Sequence, residues 1–189
     1  YMFCIVLVAY QVFGSLSDPN TWTALFWIIM LFSSINASSR AFTNEHQGKH
    51  LLIHQLIRPG TLILARMLYQ MVLNGVLALQ GLLLFALFMG LPEGHWPSFI
   101  AVLIAGAAAQ AALMTFIAAM AAKSGQGMGL SAILGLPLLV PSLMASAKGS
   151  LLAWDGHVWP ALGHAGLLVG LCSLSLALGY VLFPYLWTD

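Results

Sequence analysis

Apolar runs of bilayer length, separated by short polar turns, organise this chain from end to end. The first run, residues 1–14, stops at "SLSDPN" (15–20), where Asn20 or Thr21 can cap the helix that follows. Further runs cover about residues 22–38, 62–89, 98–122, 130–147 and 162–183. The punctuation between them is "GLPEGHWP" (90–97), "KSGQGMG" (123–129) and "KGSLLAWDGHVWP" (148–160). A crossing helix needs about 20 residues at a rise of about 1.5 Å each, and a barrel strand would need an alternation that these runs lack. The pattern predicts an all-α integral membrane protein of six transmembrane helices in a single permease domain, residues 1–189. The opening run is too short to cross and begins at Tyr1. It is therefore read as a first helix truncated at its N-terminus.

Composition agrees: 61% of residues are hydrophobic and 6% charged, where soluble domains carry about 25% charge. A net charge of +1 offers no basic patch for nucleic acid. Cys4 and Cys172 lie in separate apolar runs, so neither a disulfide framework nor a cysteine metal site is indicated. Arg40, Lys49, Arg58, Arg66 and Lys123 fall on one side of the predicted spans and Lys148 on the other. Basic residues favour the cytoplasmic side, which places 44–60, 123–129 and both termini there.

The spans hold no Asp, Glu, Lys or Arg near their centres, so ion coupling through membrane carboxylates is not expected. HExxH, GxSG and P-loop patterns are absent, so the chain is expected to be a non-catalytic subunit, with any ATP hydrolysed by another chain. The fourth run is rich in alanine and contains Gly106, which predicts a helix buried among its neighbours. The fifth carries Pro137 and Pro141 one turn apart, which predicts a bent or interrupted helix: a packing kink, or a hinge or gate.

The stretch "NEHQGKHLLIHQLIRPG" (44–60) concentrates the polar residues. His46, His50 and His54 recur every fourth residue and form a loose stripe on a helix. Gly48 interrupts that helix and only Glu45 stands nearby as a carboxylate, so a metal site is not expected. "HLLIHQLI" reads as a short amphipathic helix lying along the membrane and ended by Arg58-Pro59-Gly60.

These features resemble the membrane subunits of type-2 ABC exporters, and most closely the haem exporter protein B (CcmB) family of cytochrome c maturation. The matching stretches are "LFSSINASSRAFTNEHQGKHLLIHQLIRPGTLILARMLYQMVLNG", with Glu45, Gly48, Pro59 and Arg66 at the family's acidic, glycine, proline and basic positions, and the proline-paired "LSAILGLPLLVPSLM". The resemblance implies type-2 exporter architecture in the bacterial inner membrane. It also implies that 44–60 is a coupling helix docking on a cytoplasmic ABC ATPase, with Glu45, Gly48, Lys49, His50, His54, Arg58 and Pro59 as docking residues. Expected partners are that ATPase, a haem-handling membrane subunit, a haem chaperone, membrane lipid and a second copy of the chain. ATP belongs to the partner, and haem is cargo rather than a resident cofactor.

On the outer side, Trp154, His157, Trp159 and His95 are candidates for haem contact, since iron accepts imidazole and the macrocycle is flat and aromatic. Tryptophan also belongs at membrane interfaces without any ligand. Two rival readings stay open at this level: a type-2 exporter of another apolar cargo, and a scaffold that moves nothing itself and relays ATPase motion.

Overall fold

A computed structural model of the chain describes residues 2–14, 18–43, 59–123 and 127–187, with side chains over 2–14, 18–38, 60–120 and 137–181. It contains α1 (Met2–Phe13), α2 (Pro19–Thr43), α3 (Pro59–Phe88), α4 (Trp96–Lys123), α5 (Gly127–Trp154) and α6 (Val158–Trp187). No strand occurs among the described residues. By length and composition, four stretches among the described residues can cross a membrane: Pro19–Ser38, Gly60–Phe88, Trp96–Met120 and Val158–Val181.

The helix starts and stops follow from local chemistry. α1 ends at Gly14, whose φ of 65° lets its N–H donate back to Tyr10 O at 2.8 Å. α2 begins earlier than the sequence suggests, and its cap is Asp18 rather than Asn20 or Thr21. The Asp18 carboxylate accepts from Thr21 Oγ1 (2.6 Å), Thr21 N (3.0 Å) and Asn20 Nδ2 (3.2 Å), with Pro19 at the first helical position.

The Thr21 hydroxyl, then the Thr21 amide and the Asn20 side chain, hold the Asp18 carboxyl below its ordinary value of 3.8. A depressed folded pKa means the cap contributes fully above the unfolded value and is lost as pH falls through the folded one. Trp22 fluorescence is therefore expected to hold steady from about pH 7 to about pH 4 and to change only in stronger acid. Asp18→Ala should show the acid-like signal at neutral pH; a wild-type transition near neutrality would contradict this capping role.

The stretch 148–160, expected to be a loop, is mostly helix. α5 continues to Trp154, and only Asp155, Gly156 and His157 separate it from α6. His157 N donates to Leu152 O (2.8 Å) and Gly156 N to Ala153 O (3.3 Å), a Schellman closure that requires the φ of 78° at Gly156. Polar and small residues that look like loop instead serve helix contacts. A Cβ on Gly149 would lie 2.9 Å from His164 Cβ and 3.1 Å from Val102 Cγ1, so α4, α5 and α6 approach closely there.

α4 is the central helix, packed against α2, α3, α5 and α6, while α1 lies outside against α2 and α3. Its alanines at 105, 107, 109, 111, 112 and 119 are buried, as the composition of the fourth run implied. α5 runs unbroken through Pro137 and Pro141, so the helix is not interrupted, and both prolines are exposed. Its buried side carries Ser142, Ser146 and Ser150, which donate to Leu139 O, Ser142 O and Ser146 O, each at 2.8 Å. Back-bonding of this kind satisfies each hydroxyl inside its own helix.

Candidate functional site

Two ends of the bundle are candidates. At the first, the start of α2, the end of α3, the start of α4 and the α5–α6 turn come together around aromatic rings. Trp22 stacks on Phe26 (5.2 Å, 11°) and meets Phe85 edge-on (5.3 Å, 76°). Trp154 stacks on Phe99 (4.2 Å, 28°) and meets Trp96 edge-on (5.2 Å, 75°). Offset and edge-on pairs at these spacings are the favoured geometries of aromatic rings.

Each deeply buried indole also finds a polar partner. Trp22 Nε1 donates to Gly90 O (3.0 Å), Trp27 Nε1 to Ser150 Oγ (2.9 Å) and Trp154 Nε1 to Thr23 Oγ1 (3.2 Å). The three bonds link α2 to the ends of α3 and α5. The result is a packed, pinned aromatic cap.

The turn between α3 and α4 docks on the cap through its backbone. His95 N donates to Ala153 O at 2.9 Å. A Cβ on Gly94 would stand 2.6 Å from Trp154 Cα and 2.7 Å from Trp154 O, backbone atoms that cannot rotate away. Gly94→Ala is expected to cost about 1–3 kcal/mol and to loosen the cap, as for other overpacked sites. Denaturant unfolding followed by tryptophan fluorescence checks it, and an unshifted midpoint would show that the turn does not hold α5 this way.

The four candidates for haem contact do lie at this one end, but they differ in availability. Trp154 is 5% exposed inside the cap, whereas Trp159 is 84% exposed. His157 is exposed in the α5–α6 turn. His95 is exposed too, but its Nδ1 accepts from Ser98 N (3.3 Å) and so caps α4, while the Ser98 hydroxyl donates to His95 O (2.9 Å). Nδ1 also lies 3.0 Å from Ser98 Oγ, so ligating iron through Nε2 would move the ring proton to Nδ1 and exchange the bond from Ser98 N for one to the Ser98 hydroxyl. Sequence reasoning missed Trp22, Thr23, Phe99 and Ser150, although Trp22 and Phe26 at i and i+4 signal a shared helix face.

The second end carries the polar segment. Glu45, His46, Gly48, Lys49, His50, His54 and Arg58 lie outside the described residues, which resume at Pro59 in the first turn of α3. Gly60 is buried, and a Cβ there would stand 3.0 Å from the Tyr180 ring of α6. Seven residues further along α3, Met67 is fully buried, and a Cβ on Gly179 of α6 would stand 2.6 Å from its Cε. The segment is followed directly by α3, which packs on α6 at this end and runs to the turn at Gly90 in the cap. Among the described residues, no group of three His, Cys, Asp or Glu is placed to hold a metal ion.

The family model described as CcmB protein matches residues 3–184. The chain belongs to the CcmB protein family. Nothing among curated proteins or solved structures matches it. CcmB membership and the apolar helices make this a multi-pass membrane protein, the membrane subunit of a haem-export ABC transporter in cytochrome c biogenesis.

Proposed function

We propose that this CcmB chain is the permease that couples ATP hydrolysis by a cytoplasmic ABC ATPase to haem export or to release of a haem-loaded chaperone. In this reading all six helices cross the bacterial inner membrane, with both termini and residues 44–60 in the cytoplasm and the aromatic cap outside. Glu45, Gly48, Lys49, His50, His54, Arg58 and Pro59 meet the ATPase, which binds the ATP. A haem-handling membrane subunit and a haem chaperone work at the outer face, and a second copy of the chain completes the complex. Pro137 and Pro141 leave backbone carbonyls of α5 without their helical donors and give that helix room to bend as the hinge.

The observation that carries this reading is the seating of α3: its first turn packs on α6 at Gly60 and Tyr180, directly after the polar segment. A push on the segment is then transmitted along α3 to the cap rather than absorbed in a loop. The packed state of that cap favours motion relay over a fixed haem pocket, with exposed His157 and Trp159 the side chains able to meet haem or a haem-carrying partner.

A photo-crosslinking residue at position 50, in cells expressing the whole complex, tests the docking claim. The expected product is an adduct with an ABC ATPase that disappears in Leu52→Pro. An adduct formed with periplasmic proteins instead would reverse the proposed orientation.

A further inference from the structure

Between the two ends, α2, α3 and α4 carry a band of uncharged polar side chains that neither the cap nor the coupling end uses. Asn74 Nδ2 donates to Ala107 O (2.9 Å) and Gln70 Nε2 to Ser38 Oγ (3.2 Å), which fixes the antiparallel register of α3 against α4 and α2. α2 and α4 run parallel: Trp27 lies against Gly106, and Leu31 and Ile35 pack on the cluster of Leu113, Met114 and Ile117. Gln110 on α4 falls between those two contacts, and Ser33 and Ser34 on α2 lie within the second, between Leu31 and Ile35, at the depth that Gln70 and Asn74 span on α3.

Within this band the hydrogen-bonding capacity is not met by the protein. Gln110 is fully buried, and neither its Nε2 nor its Oε1 has a partner. Asn74 Oδ1 and the hydroxyls of Ser33 and Ser34 are likewise buried and unpartnered. Surrounding hydrocarbon cannot serve them. The unmet groups combine donors and acceptors and carry no charge. They suit a small neutral molecule that donates and accepts at once, and water, with two of each, matches that demand where it finds two to four polar partners.

We propose that Ser33, Ser34, Asn74 and Gln110 form an internal water-binding site at mid-depth of the bundle. Water bound there bridges α2 to α4 and adds to the direct bonds that Asn74 and Gln70 make from α3. Because water re-forms its bonds as its neighbours shift, the site lets α2 and α4 move against each other without stranding polar groups. This inference rests on the buried polar geometry and not on the identity of the cargo.

The test is water-edited solid-state NMR on the full chain in lipid bilayers, with the Gln110 side-chain amide assigned by its loss in Gln110→Met or Gln110→Ala. Magnetisation from water is expected to reach the Gln110 amide as it reaches that of exposed Gln11. No transfer to Gln110 while Gln11 responds, or transfer from lipid headgroup protons alone, would overturn the proposal. The thermal midpoint of Gln110→Met is a second readout. Loss of the amide should lower it, since Asn74 and Ser34 then lose their shared water network. A higher midpoint would mean the wild-type amide sits dry and unpaired, which contradicts the site.

Discussion

Gly106→Leu is expected to prevent the chain from accumulating in folded form. Gly106 sits where three helices cross. A Cβ there would collide with the tip of the Trp27 indole and stand 2.8 Å from Ser146 Oγ. Neither neighbour can yield cheaply. Trp27 is fully buried and its Nε1 is tied to Ser150 Oγ, so moving the ring breaks the link between α2 and α5. Ser146 is fully buried and bonded to Ser142 O.

Displacing a buried tryptophan forfeits about 3–5 kcal/mol of packing, and in lipid such packing is a main force holding helices together. A large part of the stability of an ordinary domain, about 5–15 kcal/mol, would be gone. Detergent-denaturation midpoints compare the variants directly. Gly106→Ala should fall between wild type and Gly106→Leu, and Trp27→Leu in the Gly106→Leu background should recover part of the loss by vacating the space. A Gly106→Leu protein as stable as wild type would show that α2, α4 and α5 do not meet in this way.

Charge reversal at Glu45 or Lys49 is expected to uncouple ATP hydrolysis from c-type cytochrome maturation while leaving the helices folded. A docking surface that pairs charges loses about 2–5 kcal/mol when one partner of a buried pair is removed, and reversal adds repulsion to that loss. Even about 1.4 kcal/mol is tenfold in docking equilibrium. Leu52→Pro should act differently, by breaking the amphipathic helix expected over 50–57, next to those charges. In reconstituted complexes, ATPase activity should lose its dependence on the permease in all three variants, with unchanged tryptophan fluorescence from the cap. Retained coupling in all three would remove the docking role from this segment.

Much of the helical organisation can be read from the sequence, because apolar length and the glycine and proline punctuation carry it. The turn at Gly90 and the alanine-rich burial of α4 follow directly from those signals. The end of α5 does not. Lys148, Gly149 and Ser150 have the composition of a loop in water, yet in a membrane bundle Gly149 is a point of close approach and Ser150 an acceptor for Trp27. The start of α2 differs from the sequence pattern for a related reason: Asp18-Pro19 looks like turn sequence and is in fact cap and first helical residue.

Candidate chemistry was legible only in part. His95, Trp154, His157 and Trp159 share one end, but sequence could not tell that Trp154 is a core residue and His95 a helix cap. The band around Gln110 carries no charge, so it does not stand out among the apolar runs. The paired Gln70 and Asn74, one turn apart in an apolar helix, were the signal. Residues 44–58 lie outside the described residues, so their role rests on charge pattern and family membership.

The central claim is that this chain serves c-type cytochrome maturation through its coupling segment. A haem stain for covalent c-type cytochromes in cells lacking the gene tests it most directly, with rescue by the wild type and by Glu45→Lys. The account predicts that c-type haem disappears in the deletion, that the wild type restores it, and that Glu45→Lys does not. Normal c-type haem in the deletion, with no second copy of the gene, would contradict it and leave a type-2 exporter of another apolar cargo.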